Sequence, residues 1–409
     1  MVPSRVDVCL IGAGPQALAI AMCLRSVAPE RHIHAIDPSG AWMHSWEHNF
    51  AAFDIPHLRS PGVHHPHPDA SAWSRFRQAR TFPPLGQYDF PATGAFSAFC
   101  SECAREVGLD RIVEAGVVGH VARAGTRFSV ELASGRSLVA DHVVVAANPR
   151  RRRMPAVFVD PSGQFDSIRH SSDIDLRVAE VAGRTIGVVG GGLTAYNLAA
   201  GAVARGARVV LISRRELRAR QFDADPGWLG PKCLAAFAEI EDPRERRATV
   251  LAARDGGSMT PAALARIREL AREGSVSVFE GCRVIAIEHR GARHVLTLER
   301  DGAAVSVSVD EVWLATGSEP TIDAAGFLGA MQADADAPVE DGLPILDHEL
   351  RWPGTGIHVA GALAMLELGP AAGNLWGARR AGARIARAVV GEERWSEVEL
   401  RSTLGWVRA

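Results

Sequence analysis

An α/β chain made of two units of the same construction is predicted, on three observations. The run Val6–Ala17 places apolar residues ahead of a glycine turn, Gly12-Ala13-Gly14, and an apolar helix start. The arrangement recurs at Arg184–Ala195, where Gly190-Gly191-Gly192 is the turn. Each copy is followed by short alternating segments that read as a small antiparallel meander. At 409 residues the chain is too long for one ordinary core, so two units, or two plus an insertion, is the natural division.

In the first copy Gly12 lets the chain turn and Gly14 lets backbone approach a pyrophosphate. Pro15 and Gln16 open the helix, and small Ala17 lets that helix pack on the strand, its N-terminus facing the phosphates. The next strand, His32–Ile36, ends in Asp37, at the spacing of about 20 residues where a carboxylate takes ribose hydroxyls. A glycine-rich turn alone is a weak signal; strand, helix and acid together make a dinucleotide fingerprint. Trp42 follows in the stretch Pro38–Trp46.

Residues 43–91 form a long Pro- and His-rich loop, and a loop of that length is usually functional. His57, Arg59, His64 and His65 stand out. Imidazoles suggest metal, but adjacent and alternating His separated by prolines lack the usual zinc spacing, so no metal ligand is assigned. The other reading is an extended wall over a cofactor, its His and Arg meeting a polar or anionic substrate. A helix over Thr93–Val107 carries Cys100 and Cys103, readable as core residues or as a redox pair; their place inside the helix favours the core. Segments Ala115–Ala122, Arg127–Leu132 and Ser137–Ala146 read as the first meander. Arg150–Arg153 then reads as a solvated exit linker in preference to a phosphate site.

In the second copy Gly190 and Gly192 make the turn and Leu193 and Thr194 start the helix. The following strand, Arg208–Ile212, ends in Ser213-Arg214-Arg215 rather than an acid. Guanidinium groups pair with a 2′-phosphate that a carboxylate would repel, which predicts NADPH at this site. A helical insertion over 223–274 precedes the second meander, Arg283–Glu288, His294–Arg300 and Val305–Val309, which closes in Ala315-Thr316-Gly317. The tail offers a strand at Gly356–Ala362, then Asn374 and a small-residue helix through Ala388, whose N-terminus would point positive charge at an anionic edge.

Bulk properties narrow the class. Hydrophobic residues at 47%, charged residues at 22% and a net charge of −2 describe a globular chain with no reason to seek nucleic acid. No apolar run is long enough to cross a bilayer, and the opening residues read as fingerprint rather than signal peptide. The 6 cysteines, scattered through expected strands and helices, suit a reducing, cytoplasmic setting.

With these residues in view, the chain resembles the single-component (class B) flavin-dependent monooxygenases, especially the siderophore ornithine and lysine N-hydroxylases and the flavin-containing monooxygenases. The likeness runs nearly the whole length. It rests on Gly12–Ala17, on Asp37 with Gly40 and Trp42, on Gly190–Ala195, on Ala315-Thr316-Gly317 and on the glycine-rich segment from Gly361. It rests further on Gln164–Ser172, whose Phe165, His170 and Ser171 match a Phe…His-Ser signature that separates these enzymes from disulfide reductases. In two places the chain departs from the family: Ala362 stands where an Asp usually follows the C-terminal glycine, and Pro56–Asp69 does not match the amino-acid-binding segment of the ornithine enzymes.

The resemblance implies two Rossmann-like domains, for FAD and NADPH: residues 1–160, then 161–325 with the insertion, then 326–409 returning to the first. It implies FAD at Gly12, Gly14, Pro15, Gln16, Asp37, Trp42, Gly361 and Asn374. NADPH falls to Gly190, Gly192, Leu193, Thr194, Ser213, Arg214 and Arg215, with Thr316 and Gly317 also at cofactor. His170 and Ser171 position the NADP or serve structure, and no catalytic residue is assigned. The implied reaction passes one oxygen of O2 from a flavin C4a-hydroperoxide to a nucleophilic heteroatom, an amine nitrogen of an amino-acid-like molecule being favoured. An NADPH-dependent flavin reductase and a non-catalytic redox-sensing protein are the alternatives, and a homo-oligomer is possible.

Overall fold

The strand Arg5–Ile11 is apolar and buried from Val8 to its end because that part runs down the middle of a sheet covered on both faces. The computed structural model describes residues 3–86, 88–159 and 167–401. In it, Ile33–Asp37 and Ser137–Val145 flank this strand in parallel. Ser137–Val145 serves several neighbours: its first half also pairs antiparallel with Arg127–Leu132, and its end takes the late strand His358–Val359 in parallel. The first meander and the parallel sheet are therefore one continuous sheet of 7 strands.

The helix Pro15–Val27 lies against Leu375–Val390, and small residues set how closely. A Cβ on Gly382 would sit 2.9 Å from Cys23 Sγ and 3.1 Å from the Ala19 carbonyl oxygen. This contact brings the tail of the chain back to the first core, which holds Leu10, Leu18 and Phe96 together with Phe327, Trp352 and Ile385. The second core, with Ile186, Val188, Leu198 and Leu211, lies on a sheet of 5 parallel strands: Val276–Glu280, Arg208–Ser213, Thr185–Val189, Glu311–Leu314 and Ile168–His170, in that order. The second meander is a separate antiparallel sheet over Arg283–Arg290, Arg293–Arg300 and Ala303–Val309.

Several sequence expectations are corrected. The segment expected as one strand over Ala115–Ala122 is two, Val113–Ala115 and Val118–Ala124, because Gly116 turns between them and donates its N–H to the Asp37 carbonyl. A Cβ on Gly116 would lie 2.5 Å from Leu132 Cδ2, so the turn is packed as well as bonded. Within the insertion expected over 223–274, the helix Pro261–Arg272 belongs to the second unit, since Ala263, Ile267 and Leu270 enter its core. The added helices are Pro231–Ala238 and Pro243–Arg254. Arg150–Arg152 is not free linker: it pairs antiparallel with Ser318–Pro320, forming a ribbon where the chain leaves one unit and later returns to it. Arg151 and Arg153 pair with Glu319 and Arg152 pairs with Asp173, so three of the four arginines are engaged locally.

Candidate functional site

The first glycine turn is braced from both sides. Asp37 ends its strand with one carboxylate oxygen accepting the Ala13 N–H at 3.0 Å and the other accepting the Ser39 N–H at 2.9 Å and its hydroxyl at 2.6 Å. Met43, not singled out from sequence, donates its N–H to the Ala13 carbonyl at 2.8 Å. Gly12 takes φ +104°, and a Cβ there would lie 2.8 Å from the Ala147 nitrogen, so only glycine fits. Gly14 differs: a Cβ on it would meet nothing within 4 Å.

That open side faces a cavity of about 1020 Å³ bordered by Gly12, Gly14, Pro15, Gln16 and Asp37 on one flank and by Gly361, Gly373 and Asn374 on the other. Gln16 crosses between the flanks, donating from Nε2 to the carbonyls of Ala372 at 3.3 Å and Asn374 at 3.2 Å. Asn374 caps the helix Leu375–Val390, so a helix N-terminus opens on the cavity. An open glycine, a strand-end carboxylate and a helix N-terminus around one long cavity fit a flavin dinucleotide. Trp46, Phe50, Phe222, Trp228 and Trp376 supply an apolar part of the wall that sequence reasoning missed. Trp46 and Phe50 are four apart on the helix His44–Ala52, a spacing that was available as a signal.

One expected contact is absent from this cavity and another is met only in part. Trp42 does not border it; its indole N–H donates to the Leu109 carbonyl at 2.7 Å and ties the turn to the end of the helix Thr93–Glu106. The Pro- and His-rich segment is not an extended strip but a chain of turns, with the His64 N–H on the Pro61 carbonyl and the Asp69 N–H on His67 Nδ1. Its histidines point apart. His57 is exposed and stacks on Phe90, while His65 is fully buried with its ring edge-on to Phe99. Burial and the nearby Arg379 push the His65 imidazole down to about 3 and that of His64 to about 4. Of the four singled-out residues only Arg59 and His64 border the cavity.

Arg59 corrects the expected carboxylate binder. It donates from Nε to the Gln221 carbonyl at 2.6 Å and from Nη2 to the Arg220 carbonyl at 2.6 Å and Ser258 Oγ at 3.1 Å, and it pairs with Asp223. Its charge and donors clamp the first unit to the segment leading into the insertion. Arg150, by contrast, borders the cavity and donates only to Ser318 and Asn148, with no ion pair among the described residues.

None of Gly190, Gly192, Leu193 and Thr194 borders this cavity. Gly190 takes φ +152°, and a Cβ on it would lie 2.4 Å from the Ala315 carbonyl oxygen. Ser213 is buried with its hydroxyl on the Arg215 carbonyl at 2.7 Å, shaping the turn that presents the two arginines. Arg214 is exposed and makes no ion pair among the described residues, whereas Arg215 pairs with Asp255 at 3.3 Å.

His170 and Ser171 are buried. His170 Nδ1 accepts the Ser172 N–H at 3.2 Å, which leaves Nε2 to donate to the Gly317 carbonyl at 3.0 Å. The ring thus props Gly317, while the Thr316 hydroxyl donates to the Arg153 carbonyl. Phe165, with Gln164 and Asp166, lies outside the described residues.

Cysteine chemistry has no place in the cavity wall. Cys100 and Cys103 sit in the helix Thr93–Glu106, buried in the first core, and that burial raises the Cys103 thiol to about 12 and Cys100 well above its ordinary value. Among the described residues no three His, Cys, Asp or Glu converge to hold a metal ion, and no helix is long and apolar enough to cross a membrane.

The FAD-bound cadaverine monooxygenase of desferrioxamine biosynthesis from Erwinia amylovora superposes with a TM-score of 0.77 at 16% identity, over 96% of each chain. The ornithine N-hydroxylase of Kutzneria sp. 744 gives 0.75 at 16% identity, over 94% of this chain and 99% of that one. The bacillithiol disulfide reductase of Bacillus cereus gives 0.60 at 18% identity, over 94% and 98%. No curated protein matches in sequence. The family model of the pyridine nucleotide-disulphide oxidoreductases, however, matches residues 6–378, nearly the whole of both glycine-turn units, and the chain belongs to that family.

Proposed function

We propose that the chain is an FAD- and NADPH-dependent monooxygenase that passes one oxygen atom of O2 to a nucleophilic heteroatom of a small molecule, an amine nitrogen being the favoured acceptor. The observation that carries the reading is the cavity: it runs from the open Gly14 turn to an aromatic wall and borders no thiol. A reductase of disulfides needs a reachable thiol pair, and the Cys100 and Cys103 pair is buried in the core. The N-hydroxylases named above share the fold at higher TM-scores than the disulfide reductase, which supports the same choice.

In this reading Gly12, Gly14, Pro15, Gln16 and Asp37 hold FAD, with Gly361 and Asn374 on the opposite flank. Gly190, Gly192, Leu193, Thr194, Ser213, Arg214 and Arg215 hold NADPH. The bound flavin supplies electron transfer from the nicotinamide and activation of O2. The chain's own groups do the rest. Trp46, Phe50, Trp228 and Trp376 give the cavity apolar surface that would keep water from a bound flavin. The Asn374 helix terminus faces negative charge on the cofactor. With Arg59 occupied by Asp223, Arg150 is the guanidinium left to meet a substrate carboxylate or a dinucleotide phosphate. His170 positions the Gly317 turn and moves no proton.

Oxygen consumption by the purified flavoprotein, driven by NADPH across a panel of amines, amino acids and thioethers, tests the reading. Hydroxylated product in proportion to oxygen consumed is expected. NADPH oxidation that yields only peroxide with every compound, together with reduction of a disulfide or quinone, overturns it in favour of a reductase.

A further inference from the structure

The two glycine turns differ in a way the fold does not require. Gly14 faces open space, whereas a Cβ on Gly192 would lie 3.3 Å from Gly257 Cα, and a Cβ on Gly257 would lie 2.9 Å from Gly192 Cα. The second glycine of such a turn is small so that a pyrophosphate can reach the backbone. At Gly192 that close approach is made instead by the protein's own peptide.

The same short segment reaches Arg215, one of the two arginines assigned above to the 2′-phosphate. Asp255 ends the helix Pro243–Arg254 in a left-handed conformation, φ 41°, and pairs with Arg215 at 3.3 Å and with Arg218. The Arg215 guanidinium lies across Gly256, where any Cβ would collide with it. One residue past Gly257, the buried Ser258 accepts from Arg59. Met259 then bonds in both directions to the strand-end segment, accepting from the Arg220 N–H and donating to the Arg218 carbonyl. A carboxylate stands on Arg215, where a 2′-phosphate would pair, and a backbone stands on the glycine turn where a pyrophosphate would lie.

We propose that Asp255–Ser258 is a built-in occupant of the second dinucleotide site, which NADP displaces when it binds. The inference rests on the assignment of Gly190–Ala195 to NADPH made above. Displacing the segment is a cost common to every dinucleotide, so it divides the affinity for each by the same closed-to-open ratio. The latch is built to yield: the side chains of Arg215, Arg218 and Asp255 are 38%, 46% and 48% exposed, and exposed pairs are weak. A 2′-phosphate takes over Arg215 as Asp255 leaves it.

The test is equilibrium titration of the FAD-loaded protein with NADP+ and with NAD+, for the natural chain, Asp255→Ala and Gly257→Ala, followed by hydrogen exchange at the amides of 256–259. Asp255→Ala unlatches the segment and is expected to tighten both dinucleotides by one common factor of about three- to tenfold. Gly257→Ala changes no charge but drives a methyl against Gly192, and should also tighten both. In the natural chain the amides of 256–259 should exchange faster once NADP+ is bound. Tightening of NADP+ alone in Asp255→Ala would make Asp255 a mere repeller of the 2′-phosphate and overturn the occupant. Unchanged affinities in both variants, with 256–259 equally protected throughout, would overturn it while leaving the NADPH assignment standing. Failure of all three proteins to bind either dinucleotide would overturn that assignment itself.

Discussion

The turn at Gly12–Gly14 and the turn at Gly190–Gly192 are spelled almost alike, and the molecule uses them differently. The first is a braced rim on a cavity: Asp37 and Met43 lock the loop, and Gly14 borders a space of about 1020 Å³ that no other described part of the chain fills. The second is covered by Gly257 and flanked by Arg215 and Arg218, which pair with Asp255. A glycine fingerprint therefore specifies a backbone shape that can receive a pyrophosphate; the residues that face it decide whether the space stands open. The difference suits a division of labour in which one dinucleotide stays and the other comes and goes.

The largest expected effect separates the glycines of the first turn. Gly14→Val places its side chain in open space at an ordinary φ of −81°, so it should fold and melt normally yet lose its flavin, read as absorbance of the purified protein. Gly12→Ala should do the reverse, losing stability by about 1–3 kcal/mol through backbone strain, with more from its contact with Ala147. Normal flavin content in Gly14→Val would remove the basis for treating the open turn as a cofactor rim.

The next effect concerns three histidines enclosed by the first unit. His64, His65 and His358 have imidazoles pushed down to about 4, 3 and 4, mainly by burial, from an ordinary value of 6.5. Unfolding lets them protonate below 6.5, so the unfolded state binds more protons there. Their contribution to stability is complete above that pH and is lost as pH falls towards the folded values. Each adds a slope of about 1.4 kcal/mol per pH unit in the middle of the window. Denaturant unfolding of His65→Gln should show an acid limb shallower by about one such increment. An unchanged limb would mean that His65 is reachable by protons in the folded state.

How much of this was legible follows the distance over which each interaction acts. The strands, the glycine turns and the helices after them show in short apolar patterns, and those elements stand where the patterns put them. The partners of Arg59 do not show, because Gln221 and Ser258 are 162 and 199 residues away in sequence, and a guanidinium beside histidines looks as much like a substrate binder as a clamp. The same holds for His65, whose place against Phe99 depends on how a loop without periodicity packs on a helix. Ala115 reads as the start of the next strand because Gly116, the turn residue after it, sits in an otherwise alternating run.

Arg59 also connects the two sites, since it touches Ser258 beside the covered glycine turn. Arg59→Ala leaves Asp223 without its main partner and frees carbonyls of the strand-end segment, a loss of about 1–3 kcal/mol of stability. A fall in melting temperature with flavin content retained is the expected result. An unchanged melting temperature with a raised KM for substrate alone would return Arg59 to the role of substrate binder.

The smallest expected effect is at the exposed rim. Arg214 has no ion pair among the described residues, so Arg214→Ala should leave stability where it was. Its worth would be realised only with a 2′-phosphate present, through a charge-assisted bond made at the surface. Exposed pairs contribute about 0.2–1 kcal/mol, which limits the loss in NADP+ affinity to about fivefold and leaves NAD+ untouched. Arg215 is expected to behave differently, because it already holds Asp255. Arg215→Ala removes a contact to the 2′-phosphate and loosens the latch together, so its NADP+ affinity should fall less than a missing contact implies, while NAD+ binding improves. Titration of both nucleotides against both variants reads this directly. Equal losses for NADP+ and NAD+ at either arginine would show that these side chains do not distinguish the two, and the contrast between an open first turn and a latched second one would then have to rest on Gly257 alone.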